Sequence, residues 1–596
     1  MKKIYGFAAL CAAMTLASCS NNDEPIVPVD GSTTATVAGY LSVNIANTNK
    51  DTRAVNHQDY IQGTAGESKA TKATFVFFAA DGSQISMSAD QALTSTTEHT
   101  SNIERDYNVM VPVTITETGD HDAAYVQGEI DKIDRVVVIL NPTADINAAV
   151  SDKSEPQVLA VAADYSTLTS DNGFVMTNSV YMKENGKDYV YGQDVNGKIY
   201  SSQLEATQNA VDLYVERVVA RVDVKYDPTG FTNTPQSESI YGYDANGNFT
   251  ETKQTLNIVI KGIEVANIAN QSYLVKNLDN SFKTTGRFDA WNDESNFRSH
   301  WATAWTLDTD VKAPSRFVEE DNQDKIDYTW FRNQSYNSFD DFSASSTGAK
   351  YYINENTNED YKTALVISAQ LCDENDNPVT FYRTVKDGRY YSEEGAYNVL
   401  LDMLKREGYY VATEYDAEGK PSKLRNLTEA DLEFKSAVQS EVEGAEGYEG
   451  YLEFKKDTYA DKDIYRTTDG GVNYVAVTNF TENVLHSSNY EVWKWNEGMC
   501  YYYVYLTNGE EENIAAEGEE ANMVTIDGIV RNHIYDVNIQ SIAGLGVPVF
   551  DPKDVIIPTT PDKITPNDEW SLACNIHILS WARYTQHANF TNGTDY

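Results

Sequence analysis

Apolar residues along this chain recur in short runs, many alternating at every second position, and several of the runs end at Asp-Gly or Asn-Gly. ATFVFFAA at 73–80 closes on Asp81-Gly82, and the run at 381–385 closes on Lys386-Asp387-Gly388. Alternation puts one row of side chains on each face of a pleated strand. Asp-Gly and Asn-Gly supply the backbone that a tight hairpin needs. The same reading predicts strands over 108–115, 135–140, 212–226, 256–265, 364–371 and 499–506. Helical periodicity is confined to 144–149, 398–407 and 428–434, the last with Thr428 and Asp431 spaced as a cap. An all-β chain of sandwich type is expected, with few short helices.

A chain of 596 residues outgrows one ordinary core. Hydrophobic residues make up 41% of it and charged residues 23%, enough apolar surface for more than one core. No fixed-period repeat is visible. The turn-rich stretch DPTGFTNTP follows the long run at 212–226, so domains are expected over 54–226 and 227–550.

Formal net charge is -44. That excludes a nucleic-acid-binding role, which needs Lys and Arg against phosphate, and disfavours broad contact with anionic lipid.

The amino-terminal residues read as an address. Lys2 and Lys3 precede an apolar stretch at 6–18, GFAALCAAMTLAS, too short for a permanent bilayer span. It ends Leu16-Ala17-Ser18-Cys19, a lipobox, so residues 1–19 read as a lipoprotein signal and Cys19 as the acylated (palmitate-bearing) residue. Asp23 and Glu24 follow closely. Outer-membrane anchoring of a precursor is the expectation.

Residues 20–53 read as a propeptide with one strand in it. Val37, Gly39, Leu41, Val43 and Ile45 alternate in VAGYLSVNIAN, and a polar stretch containing Arg53 follows. Polar connecting segments are where proteases cut. A cut after Arg53 would remove a strand and leave its neighbours an open apolar groove.

The other end mirrors this. Residues 551–569 carry four prolines and read as a stiff linker. Beyond them, in 570–596, Leu572, Cys574, Ile576 and Ile578 alternate, followed by Trp581. Two placements are open from the residues. The strand folds back onto its own domain, or it fills the groove of a neighbouring copy. The second is strand addition, and head-to-tail repetition of it gives an open filament.

Catalytic chemistry is not visible. The eight histidines are scattered without HExxH spacing, and no Gly-x-Ser-x-Gly occurs. Gly544-Leu545-Gly546 runs into Val-Pro and is no dinucleotide loop. No metal or cofactor is expected. Asp-rich turns at 194–197 and 244–247 have glycine at the fourth position, where an EF-hand has it at the sixth, and with the similar 373–376 they read as hairpin turns. Trp291, Trp301 and Trp305 read as core aromatics rather than a glycan-stacking surface. Cys372, Cys500 and Cys574 read as buried free thiols.

Several segments together resemble the fimbrillins of lipoprotein-derived, protease-processed (type V) pili, with the shaft subunit of minor fimbriae the nearest kind. IVRNHIYDVNIQSIAGLG at 529–546 is similar to the family's Arg-Asn-x-x-Tyr-x-Val-x-Ile segment, at Arg531, Asn532, Tyr535, Val537, Ile539, Gly546 and Pro548. CYYYVYL at 500–506, VERVVARVDV at 215–224 and the tail NIHILSWARYTQHANF, with Trp581, resemble further family segments. The resemblance implies two transthyretin-like sandwich domains and export to a cell-surface fimbrium. It also implies cleavage by an arginine-specific surface protease, for which Arg53 suits better than Arg105 or Arg135. Polymerisation by donor-strand exchange, anchor and tip subunits as partners, and host or bacterial adhesion receptors complete the implied picture. The linker at 551–569 departs from the family in being short, with only a partial acidic-proline run. A monomeric lipid-anchored adhesin, or a fimbrial tip protein, is the alternative.

Overall fold

The computed structural model describes residues 36–47, 63–98, 105–115, 123–277, 349–552, 570–580 and 583–587, less short loops within those spans. Strands dominate, and the helices are short and few.

The first body is a nine-stranded sheet. Its order is Gln84–Ala92, Lys72–Ala79, Ile133–Leu140, Met176–Asn178, Val211–Arg217, Thr36–Asn47, Arg105–Ile115 and Ser95–Glu98, with Gln193–Asp194 beside Ile133–Leu140. The sheet curls, because Ser86 and Ser88 of one edge region donate to the carbonyls of Thr114 and Pro112 on the other. Phe75, Phe77, Val136 and Val138 point into the curl. Val76, Phe78, Val137 and Ile139 point to the opposite face and pack against Ile146, Val150, Leu274 and Val275. Both faces of the central strands are therefore buried, which is why ATFVFFAA reads as a continuous apolar run. Each such large side chain contributes about 1.5–3 kcal/mol through its removal from water.

The second body is a sandwich. A six-stranded sheet holds Ala349–Ile353, Ala220–Tyr226, His533–Gly544, Trp570–Ser580 and Arg583–His587, with Thr232–Asn233 beside His533–Gly544. A ten-stranded sheet lies opposite, with Phe249–Ala266, Ala364–Cys372 and Met499–Tyr505 adjacent in it. Val222, Val224, Val537 and Ile539 from the first interleave with Ile258, Leu365, Ile367 and Tyr502 from the second. A further core lies beneath the helix Glu393–Arg406 and the four-stranded sheet of Pro421–Arg425, Tyr409–Tyr415, Ile464–Arg466 and Val475–Ala476.

The run at 212–226 is two strands. Val211–Arg217 belongs to the first body and Ala220–Tyr226 to the second, with Val218 and Val219 between them. Those two residues keep bonding partners on each side: Val218 N donates to Val175 O, and Asn532 N donates to Val219 O. A short strand from the second body, Gln271–Tyr273, pairs back onto Ala162–Asp164.

Two of the expected helices form. Ala144–Val150 is capped by Thr143, whose hydroxyl accepts from Ile146 N at 3.2 Å. Glu393–Arg406 is capped by Ser392, carries Glu393 and Glu394 in its first turn and Lys405 and Arg406 in its last, and buries Ala396, Tyr397, Leu400 and Leu404 on one face. The expected helix at 428–434 does not form. Asp431 does accept from Thr428 N and Oγ1, both at 2.8 Å, but it also takes Arg425 Nη1 and Nη2 at 2.6 and 2.7 Å. The pattern closes a turn, and the chain leaves it as the strand Leu432–Ser436, paired with Glu449–Phe454. Cross-strand pairing outweighs the local helical signal there.

Candidate assembly site

The leading strand Thr36–Asn47 is an interior strand. It runs parallel to Val211–Arg217, with Val43 opposite Val211 and Ile45 opposite Leu213. On its other edge it runs antiparallel to Arg105–Ile115, with Leu41 opposite Val111 and Val43 opposite Val109. Leu41 and Val43 are fully buried among Val111, Val113, Leu213 and Val215. Tyr40 also exchanges backbone hydrogen bonds with Tyr200, at 2.7 and 2.9 Å. For Ile45 the backbone pairing is described and the side chain is not. Taking this strand out would unpair backbone groups on two neighbours at once, a state that favours replacement by another strand.

The tail strand Trp570–Ser580 lies on its own chain. It runs antiparallel to His533–Gly544, with Leu572 opposite Ile542, Cys574 opposite Ile539, Ile576 opposite Val537 and Ile578 opposite Tyr535. It then turns back to pair with Arg583–His587. Of the two placements the sequence leaves open, the isolated chain has the first. Cys19, Arg53, Trp581, the linker 553–569 and Trp291, Trp301 and Trp305 lie outside the described residues.

The Asp-rich turns spend their carboxylates internally. Asp244 Oδ1 accepts from the backbone N–H of Asn246 and Asn248 at 2.9 and 2.8 Å, and Asp373 Oδ1 accepts from Asn375 and Asn377 in the same way. Among the described residues no cluster of His, Cys, Asp and Glu is arranged to hold a metal. Cys372 and Cys500 are buried free thiols, as expected.

Sequence reading missed a cluster of buried charge between the two bodies. Glu67, in the short helix Ala65–Ser68, accepts Arg221 Nη1 on both carboxylate oxygens at 2.8 and 2.9 Å, Thr64 N at 2.6 Å, and the Tyr352 hydroxyl. Arg217 Nε donates to the Glu67 main-chain oxygen at 2.8 Å, and its Nη1 to Asn532 Oδ1 at 3.2 Å. Lys276 pairs with Glu216 at 3.0 Å, and Arg531 with Glu355 at 2.7 Å. Burial pushes the Glu67 carboxyl up, but Tyr352, Arg221 and Thr64 together outweigh it and hold it below its ordinary value. Part of this cluster had a signal. The Arg531-Asn532-x-x-Tyr535 segment supplies Arg531, which also donates to the carbonyls of Leu274 and Tyr273. It supplies Asn532, which adopts φ +58°, and Tyr535, whose hydroxyl accepts from Val530 N at 2.8 Å.

By sequence, residues 494–587 match the family model "Major fimbrial subunit protein type IV, Fimbrillin, C-terminal". Among curated proteins none matches the chain. Among solved structures, a candidate cell adhesion protein from Parabacteroides distasonis is similar at 12% identity and a TM-score of 0.36, over 92% of this chain and 99% of that one. One from Bacteroides eggerthii is similar at 10% identity and a TM-score of 0.31, over 94% and 99%. The tip fimbrial protein Mfa3 from Porphyromonas gingivalis, with C-terminal truncation, is similar at 11% identity and a TM-score of 0.27, over 90% and 98%. The likeness to the fimbrillins is carried by the carboxyl-terminal segment at 494–587, which the family's model matches.

Proposed function

We propose that this chain is a structural shaft subunit of a cell-surface fimbria that polymerises by protease-triggered strand exchange. The observation that carries the reading is the interior seat of Thr36–Asn47 between two strands, ahead of a polar segment that contains Arg53. A cut after Arg53 severs that strand from the domain it completes. The tail strand, of similar length and with Leu572, Cys574, Ile576 and Ile578 at alternate positions, is the replacement. It leaves its seat on His533–Gly544 and enters the groove of the next copy, paired through its backbone. The precursor is a lipoprotein acylated on Cys19 and anchored in the outer membrane. The two bodies that meet at Val218-Val219, in place of the boundary at 226 expected from sequence, are joined to the tail by 551–569 and form the repeating unit. Partners are copies of itself, anchor and tip subunits, an arginine-specific surface protease and adhesion receptors. The role is structural, without catalysis.

A second reading is a monomeric lipid-anchored adhesin or tip protein. It draws on the placement of the tail strand on its own chain. One experiment separates the two. Surface material from the native host is run on unboiled denaturing gels for the unaltered chain, for Arg53→Ala and for a chain truncated after Asp568. A high-mass ladder lost in both variants supports strand exchange. A single monomer band in all three leaves the monomeric reading.

A further inference from the structure

The charge between the two bodies is balanced and almost wholly inside. Arg217, Arg221, Lys276 and Arg531 face Glu67, Glu216, Asp223 and Glu355, and all but Asp223 are nearly inaccessible to water. Ions are rarely buried in such number, because each loses its hydration and gains only as much as its partners return. Apolar packing would hold two bodies together at less cost in desolvation. What ion pairs with fixed hydrogen-bond geometry add is a single permitted arrangement, since any slip strands a charge away from water.

The contributing segments are far apart in the chain. Glu67 comes from the start of the first body. Glu216 and Arg217 sit on the last strand of that body, and Arg221 and Asp223 on the first strand of the next. Lys276 follows the strand that reaches back to Ala162–Asp164, while Glu355 follows Ala349–Ile353 and Arg531 precedes His533–Gly544. Glu67 joins the two bodies directly. Its carboxylate binds Arg221 and Tyr352 of the second body, and its main-chain oxygen binds Arg217 of the first. Even the approach to it is shaped for this. A Cβ on Gly63 would lie 2.8 Å from Arg217 Nη2 and 3.0 Å from Glu67 Oε2, so a larger residue there would have to push these side chains aside.

We infer that residues 63–68 are a latch that locks the two bodies into one rigid strut, with the Glu67 carboxylate as its key. The inference stands on the junction alone and does not depend on filament formation. Glu67 positions Arg221 and Tyr352; it does no chemistry. A lock of this kind makes the two bodies unfold together and keeps Val218–Val219, where the chain crosses from one to the other, closed to exchange.

The test is calorimetry with hydrogen exchange on the full chain, comparing the unaltered protein with Glu67→Gln and Tyr352→Phe. The unaltered chain is expected to unfold in one transition. Glu67→Gln should split it into two, and amides at 218–222 and 530–533 should exchange at least about tenfold faster, the ratio expected for loss of a charged hydrogen bond. Amides in Ile133–Leu140 and Ala364–Cys372, each central to one body, should keep their protection. Tyr352→Phe keeps the ion pair and the packing, so it should fold and show the same local pattern more weakly, which guards against Glu67→Gln failing to fold. Two separate transitions in the unaltered chain would overturn the inference. So would a uniform rise in exchange across both bodies in Tyr352→Phe, or no local change at the junction in either variant.

Discussion

Glu67 and Arg221 stand 154 residues apart in the chain, and Arg221 Nη1 reaches both oxygens of the Glu67 carboxylate, at 2.8 and 2.9 Å. The contact exists only when both bodies are formed and docked, so it reports on their docking. Tyr352 donates to the same carboxylate, Arg217 donates to the Glu67 main-chain oxygen, and Asp223 accepts from Arg221 Nη2.

The Glu67 carboxyl lies below its ordinary value of 4.5 in the folded chain, because Tyr352, Arg221 and Thr64 outweigh the opposing push of burial. A depressed folded value means that the unfolded chain binds the proton more tightly. The contribution is therefore complete above the unfolded value and is lost as pH falls through the folded one. Thermal unfolding followed from pH 6 to about pH 3 should show a steeper loss of melting temperature in the unaltered chain than in Glu67→Gln. Parallel slopes would mean that other carboxyls carry the acid response.

Lys276 should be intolerant of single replacement. It is fully buried beside Glu216, and burial pushes its ammonium below the usual value while Glu216 and Glu355 pull it back up. Lys276→Met removes the ammonium that neutralises the buried Glu216 carboxylate and should cost about 3–5 kcal/mol in urea unfolding. Adding Glu216→Gln should recover part of that loss. A double variant no better than the single one would show that packing, and not charge, sets the cost.

Much of the fold is legible locally, and the misses share a cause. Phe75 and Phe77 alternate with Val76 and Phe78, so the strand shows itself whichever face is counted. The helix Glu393–Arg406 is seen from 398 onward through its apolar spacing, but its first turn depends on the Ser392 cap and two glutamates that carry no periodicity. At 428–434 the local pattern is real and the pairing with Glu449–Phe454 overrides it. The break at Val218-Val219 is invisible because the valine run continues straight through it, and only the docking of two bodies decides where one sheet ends. Glu67 is the extreme case. Near it in sequence only the Thr64-x-x-Glu67 capping spacing marks it, as a helix start, and every other partner is distant. At the assembly site, Leu41 and Val43 are legible from alternation. That their strand lies between two neighbours, and is not at an edge, is a matter of topology.

The two described thiols should be inert in the folded chain. Cys500 is fully buried and burial pushes its thiol far up; Cys372 is buried too and shifted the same way, mainly by burial. Thiolate is the reacting form, so both should resist iodoacetamide at pH 8 and label fully in denaturant. Peptide-level mass spectrometry reads each cysteine separately. Labelling of Cys500 under native conditions would mean that the sheet around Met499–Tyr505 opens.

Gly450, in the strand Glu449–Phe454, packs against Phe550, near where the chain leaves the second body towards its tail. A Cβ there would fall 2.0 Å from the Phe550 ring, which is buried and lies beneath Lys494 Nζ at 5.2 Å. Gly450→Ala must displace that ring and should cost about 1–3 kcal/mol by overpacking. Phe550→Leu in the same chain makes room and should relieve part of the strain. Additive costs from the two changes would place the damage elsewhere.

Leu41 offers a direct handle on the leading strand. Its side chain is completely buried between Arg105–Ile115 and Val211–Arg217, so Leu41→Ala should destabilise the uncut chain by about 2–5 kcal/mol. If the strand departs after cleavage at Arg53 and another takes its seat, the substitution leaves with it. Filaments assembled from Leu41→Ala precursor should then melt at the same temperature as those from the unaltered precursor, while the two precursors differ. Release of the strand from the cut variant should also be faster, since fewer apolar contacts hold it. Filaments that inherit the full loss would show that Thr36–Asn47 remains in place, and exchange at this groove would be ruled out.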